Sequence, residues 1–351
     1  MSRMPQFLVE RWTVTGRLTA AVACTLVLLL ALLPGFAGGL IVDKLTTLLV
    51  YILLASMWNL LAGYAGLVSV GQQVFFGLGA YFALRLVDLG IPPYLALLLG
   101  AGGAGLAAIP LSPFMLRLKG GEFAIAMWVV AEAVRIIVMF DPLVQGETGT
   151  SLIALNSFDP DLRRNLTFWL ALGSTAMILA LTFWLLRGRI GAAAQAIRDD
   201  EEAATSIGIG VMRVKQIIFV LAALGCALAG VVWLASAITF QPRTIFGVQW
   251  TVFMLFMALV GGLRTFEGPI FGAIVFFLLQ EAFGDFGVWY LAGLGAVAVG
   301  FALFLPDGVW GAVRGRTGLE LLPTGAQLSI GGEPVSARPR VPRPGPVKDP
   351  A

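Results

Sequence analysis

Ten apolar runs, each about the length of one membrane crossing, limit what this chain can fold into. In hydrocarbon the backbone N–H and C=O groups have no water to bind, so such runs cross a bilayer as α-helices. They predict an all-α integral membrane protein, a polytopic bundle of about eight to ten transmembrane helices. The runs lie at residues 18–38, 45–62, 68–88, 94–115, 122–141, 166–186, 215–239, 247–263, 267–283 and 286–306.

The number of crossings depends on two places where adjacent runs almost meet. Only "AGYAGLV", residues 62–68, separates the second run from the third, which indicates either a tight hairpin or a helix broken at membrane depth. The short eighth and ninth runs leave the same alternatives open around "GGLRTFEGP", residues 261–269.

Composition excludes several classes of function. Only 12% of the residues are charged, against about 25% in a soluble protein. The formal net charge of +3 is too small and too scattered to indicate nucleic-acid binding. Histidine is absent, so we expect no enzyme active site and no catalytic residues. Cys24 and Cys226 fall inside apolar runs, so we expect no disulfide and no metal site.

The basic residues indicate orientation, because Lys and Arg accumulate in cytoplasmic loops. We predict that both termini are cytoplasmic and that the first run is retained as a helix. The predicted inner loops then carry Arg117, Lys119, the basic residues of 187–215, Arg264 and the arginines of the tail. The predicted outer loops carry Asp88, Asp141, Glu147, Glu281 and Asp285. Arg163 and Arg164 disagree with this pattern, since they fall on a predicted outer loop.

The chain divides into three parts. Residues 1–16 form a cytoplasmic N-terminal segment, residues 17–307 form the transmembrane domain, and residues 308–351 form a cytoplasmic tail. The tail is rich in Pro, Gly and Arg and has too few apolar residues for a core, so we predict that it is disordered. Contact of its arginines with membrane lipid is the less favoured alternative.

The largest polar loop, residues 187–215, is predicted to hold a helix. From 191 to 207 it reads "GAAAQAIRDDEEAATSI", which is rich in good helix formers, and Gly208 and Gly210 would end the helix. Four residues at helical spacing form a narrow apolar stripe, namely Ala194, Ile197, Ala204 and Ile207. The helix is either a solvated connector or a docking helix whose stripe enters a groove on a partner protein.

Several segments carry a resemblance to a known family. "EAATSIG", residues 202–208, fits a Glu-Ala-Ala-x-x-x-Gly motif, and Ile218 stands where the motif has a later Ile. The Leu-Pro that often closes the motif is replaced by Val220 and Leu221. Four longer matches span residues 59–273, namely "NLLAGYAGLVSVGQQVFFGLGAYFAL", "LRLKGGEFAIAMWVVAEAVR", "GRIGAAAQAIRDDEEAATSIGI" and "ALVGGLRTFEGPIFGA". The chain thus resembles permeases of bacterial ABC importers, in the LivM/LivH branch for branched-chain amino acids.

The resemblance implies that the polar loop is a coupling helix through which a separate ATPase moves the bundle. The residues that it implies for ATPase docking are Ile197, Arg198, Glu201, Glu202, Ala203, Ala204 and Gly208. The chain has no Gly-x-x-x-x-Gly-Lys-Ser/Thr loop to bind ATP phosphates. No cofactor is therefore expected in this chain, and a partner subunit would hydrolyse the ATP.

The resemblance also implies partners and a location. The partners are ABC ATPase subunits of the LivG/LivF kind, a second permease of the LivH kind and an extracytoplasmic solute-binding protein. The location is the bacterial plasma (inner) membrane, with multiple passes. The substrate would be branched-chain amino acids, with urea, short amides and small aromatic acids as alternatives.

Polar residues and glycines in or next to the apolar runs are candidates for the translocation path. Gln72 and Gln73 need partners in hydrocarbon, either across helices or along a wet path. "GLVS" at 66–69 is similar to "GLRT" at 262–265, and paired glycine-interrupted segments can mark a substrate site in transporters. The candidates are Ser69, Gly71, Gln72, Gln73, Phe76 and Gly268.

Glu132 and Arg135 lie three residues apart on the fifth run, so they can face each other on one side of a helix. An isolated charge at mid-bilayer costs at least about 2.5–3.5 kcal/mol, so we expect an intramembrane ion pair inside the bundle. A structural pair is favoured over a proton relay.

These observations favour a permease subunit of an ATP-driven importer. The alternative is a secondary transporter of small polar solutes driven by an ion gradient. It would need titratable or ion-coordinating residues at mid-depth, and beyond Glu132 the sequence offers almost none. A membrane-embedded enzyme and a simple channel are weaker alternatives, because the chain has neither histidine nor a filter-like repeat.

Overall fold

The computed structural model describes residues 7–10, 14–305, 307–317, 321–322, 327–330 and 333–334. Each of the ten predicted runs contains a helix, and short helices lie between them. In the described part of the chain the α-helices are α1 Val14–Leu32, α2 Gly39–Asn59, α3 Gln73–Asp88, α4 Pro93–Met115, α5 Gly120–Met139, α6 Pro160–Arg187, α7 Arg189–Asp199, α8 Glu201–Ser206, α9 Val211–Ala237, α10 Pro242–Ile245, α11 Gln249–Gly261, α12 Gly268–Phe283, α13 Val288–Phe304 and α14 Gly308–Thr317.

Eight helical stretches among the described residues are long and apolar enough to cross a membrane. They are Gly16–Gly35, Gly39–Tyr64, Pro93–Met115, Pro160–Arg187, Val211–Ala237, Pro242–Gly261, Gly268–Phe286 and Trp289–Arg316. Of the two other predicted runs, α3 is only 16 residues long, and α5 carries the charged residues Glu122, Glu132 and Arg135. The predicted all-α polytopic membrane fold is confirmed.

The second and third runs are joined by a turn that reverses the chain, because the N–H of Leu67 bonds to the carbonyl of Leu61 and Nε1 of Trp58 bonds to the carbonyl of Ser69, both at 2.9 Å. α2 continues into a π-helical turn, Leu60–Tyr64, and an irregular segment then leads to α3. We call residues 66–72 the first break and residues 262–267, between α11 and α12, the second break. Each begins with a glycine at positive φ, +70° at Gly66 and +120° at Gly262, where L side chains are strained.

The core contains α3, α4 and α9, which pack together, and α2, which packs against α6, α9, α11 and α12. Glycines allow the backbones to approach closely. A Cβ at Gly230 of α9 would lie 1.9 Å from the carbonyl oxygen of Phe76, and one at Gly100 of α4 would lie 2.5 Å from the backbone N of Ala83. Most side chains of α1 and α13 are exposed at the edge of the bundle.

The two ends of the bundle differ. α7 and α8 lie at one end, between the C-terminus of α6 and the N-terminus of α9. At the other end, β2 (Thr150–Ser151) pairs antiparallel with β3 (Thr239–Phe240) and ties the loop after α5 to the end of α9. We call the end that carries α7 and α8 the inner end and the opposite one the outer end.

The tail differs from the predicted disorder where the structure describes it. Trp310 of α14 stacks on Phe271 of α12, with ring centroids 4.7 Å apart, so this part of the tail has an apolar anchor. The backbone N of Leu322 donates to Oε1 of Glu267 at 2.5 Å. The short strands β1 (Phe7–Glu10), β4 (Gln327–Ile330) and β5 (Glu333–Pro334) form an antiparallel sheet in the order β1-β4-β5. Residues 1–6 and the rest of the tail lie outside the described residues.

Candidate functional site

The loop between α6 and α9 forms two short helices, where the sequence predicted one. Asp200 lies between α7 and α8 with an extended backbone. Its Oδ1 accepts hydrogen bonds from the backbone N–H groups of Glu202 and Ala203, both at 2.9 Å. Aspartate is a preferred N-cap residue, so Asp200 ends one helix and begins the next. We call residues 189–208 the foot.

α8 ends at Ser206, and Gly208 caps it, as the sequence predicted. Gly208 has a φ of +85°. The N–H of Ile209 bonds to the carbonyl of Ala204 at 3.1 Å, and the N–H of Gly208 bonds to the carbonyl of Thr205 at 2.9 Å. This is a Schellman cap, which requires the left-handed conformation that glycine adopts without strain. Gly210 has an ordinary φ of −74° and precedes α9, so it is not part of the cap.

The apolar stripe of the foot faces the bundle along most of its length. Ala194, Ile197 and Ala204 are buried, whereas Ile207 is 77% exposed. Three of the four stripe residues are therefore covered by this chain and are not free to enter a partner's groove. The reason is that short turns hold the foot against α6 and α9, so its apolar side is removed from water by the bundle itself.

Polar contacts also fasten the foot to the bundle. Lys215 of α9 is buried and donates to Oε2 of Glu201 at 2.7 Å. Arg198 donates from Nη1 to the carbonyl oxygen of Gly63 at 2.9 Å, and from Nε and Nη2 to Asp199. Two predicted docking residues, Arg198 and Glu201, are thus engaged with their own chain.

Of the remaining predicted docking residues, Ile197 and Ala204 are buried, and three lie on the outer surface of the foot. Glu202, Ala203 and Gly208 are exposed, together with three neighbours that were not in the predicted set. Of these neighbours, Ile207 belongs to the predicted apolar stripe, which one of the two alternatives placed in a partner's groove. We call the exposed residues the docking face, namely Glu202, Ala203, Thr205, Ser206, Ile207 and Gly208.

The predicted path residues of the first break are buried, and most are hydrogen-bonded. Oγ of Ser69 accepts from the backbone N of Gly71 at 3.3 Å and from Nε2 of Gln72 at 3.4 Å. Oε1 of Gln73 accepts from the hydroxyl of Thr251 on α11, so Gln73 bonds across helices. Oε1 of Gln72 is buried and has no partner among the described residues.

Phe76 and Gly268, the other predicted path residues, lie in tight packing. Phe76 is fully buried, and its ring centroid is 4.4 Å from that of Trp250. The hydroxyl of Thr265 donates to the carbonyl of Gly262 at 2.8 Å and accepts from the N–H of Gly268 at 3.1 Å. A glycine at positive φ and a hydroxyl that accepts a backbone N–H therefore occur in both breaks.

Glu132 and Arg135 form the predicted ion pair, but not inside the bundle. Nη2 of Arg135 lies 2.5 Å from Oε1 of Glu132, and its Nη1 lies 3.7 Å from Oε1 of Glu147. The side chain of Glu132 is 49% exposed in the isolated chain. The reason is that α5 buries only the narrow line Phe123, Met127, Ala131 and Val138, and Glu132 lies beside that line.

An ionic cluster at the outer end was not predicted. Arg85 of α3 donates to both carboxylate oxygens of Asp141, at 2.8 and 2.5 Å. Asp141 also accepts from the hydroxyl of Tyr81 and from the backbone N of Leu143. Burial raises the pKa of Asp141, but these hydrogen bonds and the Arg85 charge lower it more, so its pKa lies below the ordinary value. The charged form is therefore favoured in the fold.

The two arginines that disagreed with the predicted orientation are paired. Nε of Arg164 lies 3.2 Å from Asp43, and its Nη1 lies 2.7 Å from Asp161. Arg163 donates to Oδ1 of Asn156 at 2.9 Å. The charge of Arg164 is thus offset by nearby carboxylates, which reduces its weight as an orientation signal.

Known proteins are similar to this chain along most of its length. High-affinity branched-chain amino acid transport system permease protein LivM of Escherichia coli (strain K12) is 26% identical over 296 residues, covering 76% of this chain and 69% of that protein. LivM of Salmonella typhimurium is 26% identical over 295 residues, with the same coverage. A solved structure of PsaBC from Streptococcus pneumoniae in complex with Fab covers 70% of this chain and 92% of its own, at 15% identity and a TM-score of 0.35.

Residues 40–305 match the family described as branched-chain amino acid transport system, permease component. The match runs from the start of α2 to the end of α13, so it includes the foot and both breaks. Together with the eight apolar helices, it identifies a multi-pass protein of the bacterial inner membrane. The chain belongs to the family of permease components of branched-chain amino acid transport systems.

Proposed function

We propose that this chain is the permease subunit of an ATP-binding cassette importer and that the ATPase binds the docking face. The observation that carries the proposal is the construction of the foot. One side is exposed, while the other is fastened to the bundle by the bonds from Lys215 to Glu201 and from Arg198 to Gly63. A displacement of the docking face would therefore move the bundle and would not be absorbed by a flexible loop.

The foot and both termini are proposed to be cytoplasmic. The positive-inside rule supports this orientation, because Arg117, Lys119 and Arg264 lie in turns at the inner end. The outer end carries the acidic residues Asp141 and Glu281, and its basic Arg164 is paired with carboxylates. ATP hydrolysis on the cytoplasmic side would then act at the end that carries the foot.

The ATPase is a separate polypeptide in this proposal. The sequence has no phosphate-binding Gly-x-x-x-x-Gly-Lys-Ser/Thr loop, which supports hydrolysis of ATP by a partner subunit. Membership in the permease family implies ATPase and other transporter subunits as partners. We propose LivG/LivF-like ATPases, a second permease of the LivH kind, and an extracytoplasmic solute-binding protein that meets the outer end.

The two breaks are proposed to border the translocation path. Irregular backbone is tolerated in a membrane protein where protein or a water-filled cavity surrounds it. The unpartnered carbonyl oxygen of Gln72 supports this role, because a buried acceptor without a partner is costly and a polar substrate or water would satisfy it. Path opening would separate helices that are packed in the present state.

Branched-chain amino acids are the proposed substrate, in line with the names of the LivM relatives. Selectivity is expected to lie largely in the binding protein. A thermal-shift screen of the cognate binding protein against leucine, isoleucine, valine, urea, short amides and small aromatic acids tests this. A shift with urea or an aromatic acid and none with the three amino acids would contradict the substrate assignment.

The docking role is tested by reversing or adding charge on the docking face. Glu202→Lys and Gly208→Glu are expected to abolish uptake and co-purification of the ATPase, while the permease remains in the membrane. Asp285→Lys is the control, because Asp285 is an exposed acid at the outer end. Normal uptake and normal ATPase binding by both foot variants would refute the docking role.

The energy source separates this proposal from an ion-gradient-driven transporter. Proteoliposomes that contain the whole complex should accumulate substrate when ATP is supplied on the ATPase side, with ionophores present. Uptake that needs no ATP and stops when ionophores are added would favour the secondary transporter.

A further inference from the structure

Asn59 joins α2 to the second break. It is the last residue of α2, and its side chain is buried. Its Nδ2 donates to the carbonyl oxygen of Thr265 at 2.9 Å, and its Oδ1 accepts from the backbone N of Arg264 at 3.1 Å. Arg264 has a φ of +68°, which a residue with a side chain rarely adopts. The amide of Asn59 therefore holds a strained turn 205 residues away in the sequence.

Gly63 connects the foot with Asn59 and the turn at Arg264. A Cβ at Gly63 would lie 2.4 Å from Oδ1 of Asn59 and 3.0 Å from the backbone N of Arg264, so a side chain would displace that hydrogen bond. The carbonyl oxygen of Gly63 accepts the bond from Arg198 of the foot. Gly63 lies in the π-helical turn after α2, a geometry that often marks a functional site.

Three contacts thus form a series from the foot to the second break: Arg198 to Gly63, Gly63 against Asn59, and Asn59 to the turn of residues 264 and 265. We infer that this series, the coupling link, transmits displacement of the foot to the second break. The inference rests on the proposed function, since it needs an ATPase that moves the foot. Arg198, Gly63 and Asn59 are positioning residues that contact neither ATP nor substrate.

The competing route runs through α9 only. Lys215 fastens the foot to the start of α9, and α9 packs against α3 and α4. If that contact alone carried the motion, the bonds of Asn59 would serve only to stabilise the turn. The two routes predict different ratios of substrate transported to ATP hydrolysed when Asn59 is changed. If its bonds transmit motion, the ratio falls. If they only stabilise the turn, the correctly folded complexes keep the wild-type ratio.

The experiment uses the full complex in proteoliposomes and compares Asn59→Ala and Arg198→Gln with Thr46→Val. Thr46 lies on the same helix as Asn59 and is equally buried, but among the described residues its hydroxyl bonds only to the carbonyl of Val42 within that helix. We expect substrate transported per ATP to fall about fivefold to tenfold in the first two variants and to stay unchanged in the control. Arg198→Lys should recover most of the ratio, because it retains a donor for the Gly63 carbonyl.

A double-variant cycle decides whether the two residues act in series. Residues in one network are not additive, so Asn59→Ala combined with Arg198→Gln should be no worse than the worse single variant. An unchanged ratio in the single variants, an additive loss in the double variant, or an equal loss in Thr46→Val would overturn the inference. If Asn59→Ala does not assemble, the comparison of Arg198→Gln with its Arg198→Lys rescue decides the question alone. A wild-type complex that contains no ATPase would instead refute the proposed function.

Discussion

Gly208 tests whether the docking face depends on the shape of the foot. The change is Gly208→Ala, matched by Gly210→Ala. Both glycines are exposed, and a Cβ added at either would have no neighbouring atom within 4 Å, so the methyl group itself meets no obstacle at either site. They differ in backbone conformation, with φ +85° at Gly208 and φ −74° at Gly210.

The expected magnitude follows from that difference. An L residue in the left-handed conformation costs about 1–2 kcal/mol, which is a factor of about 5–30 in a local equilibrium. α8 has only six residues and little helical stability of its own, so the loss of its cap acts directly on the docking face. We expect the Kd of the ATPase for the permease to rise by about that factor in Gly208→Ala, and to change less than twofold in Gly210→Ala.

The assay is binding of the purified ATPase to the permease in lipid nanodiscs, with thermal melting of each variant as a check on folding. The melting temperature of the bundle should not change, because the strain is confined to the end of α8. Wild-type affinity in Gly208→Ala would refute the argument that the capped helix forms the docking surface. An equal loss in both variants would show that the effect does not come from the left-handed cap.

Two further predictions concern stability. In Gly230→Ala the methyl would lie 1.9 Å from the carbonyl oxygen of Phe76, about 1.5 Å less than an ordinary contact of 3.4 Å. We expect the free energy of unfolding to fall by about 1–3 kcal/mol. Gly173→Ala is the control, because the added methyl has open space around it and should stabilise the helix by up to about 1 kcal/mol. A higher melting temperature in Gly230→Ala would contradict the packing argument. Asp141→Asn removes charged hydrogen bonds and should cost about 1.5–3 kcal/mol at neutral pH. Folding lowers the pKa of Asp141, so its contribution to the stability of the fold is full above the ordinary pKa of 3.8 and is lost as the pH falls through the folded pKa. The same pH dependence of the melting temperature in the wild type and in Asp141→Asn would contradict this.

The sequence predicts the spans well because the membrane permits few alternatives. An apolar run of about twenty residues has the length of a membrane-spanning helix, and a helix satisfies its own backbone hydrogen bonds in hydrocarbon. The join at residues 62–68 could not be decided in the same way, because glycines suit a hairpin and a broken helix equally. Contacts across the turn decide it, since Leu67 bonds back to Leu61 and Ser69 bonds back to Trp58, so the chain reverses along the end of α2.

Local signals were present for some features that the sequence analysis missed. Asp200 is followed by Glu201 and Glu202, and an aspartate before two acids is a strong start signal for a second helix. The prediction of a single helix over residues 191–207 ignored that signal. The pairing of Arg85 with Asp141 carried no local signal, because 56 residues separate them and only the packing of α3 near the end of α5 brings them together.

The orientation of the foot explains which surface remains for a partner. A helix tied at both ends to transmembrane helices by short turns buries its apolar side against them before any partner arrives. Ala194, Ile197 and Ala204 are buried in that contact, so Ile207 is the one large apolar side chain that the foot presents outward. The partner's groove should then combine one apolar pocket for Ile207 with donors for Glu202. Three residues of the apolar stripe therefore hold the foot against the bundle. The exposed residues around Gly208 are the ones that remain available to bind the ATPase.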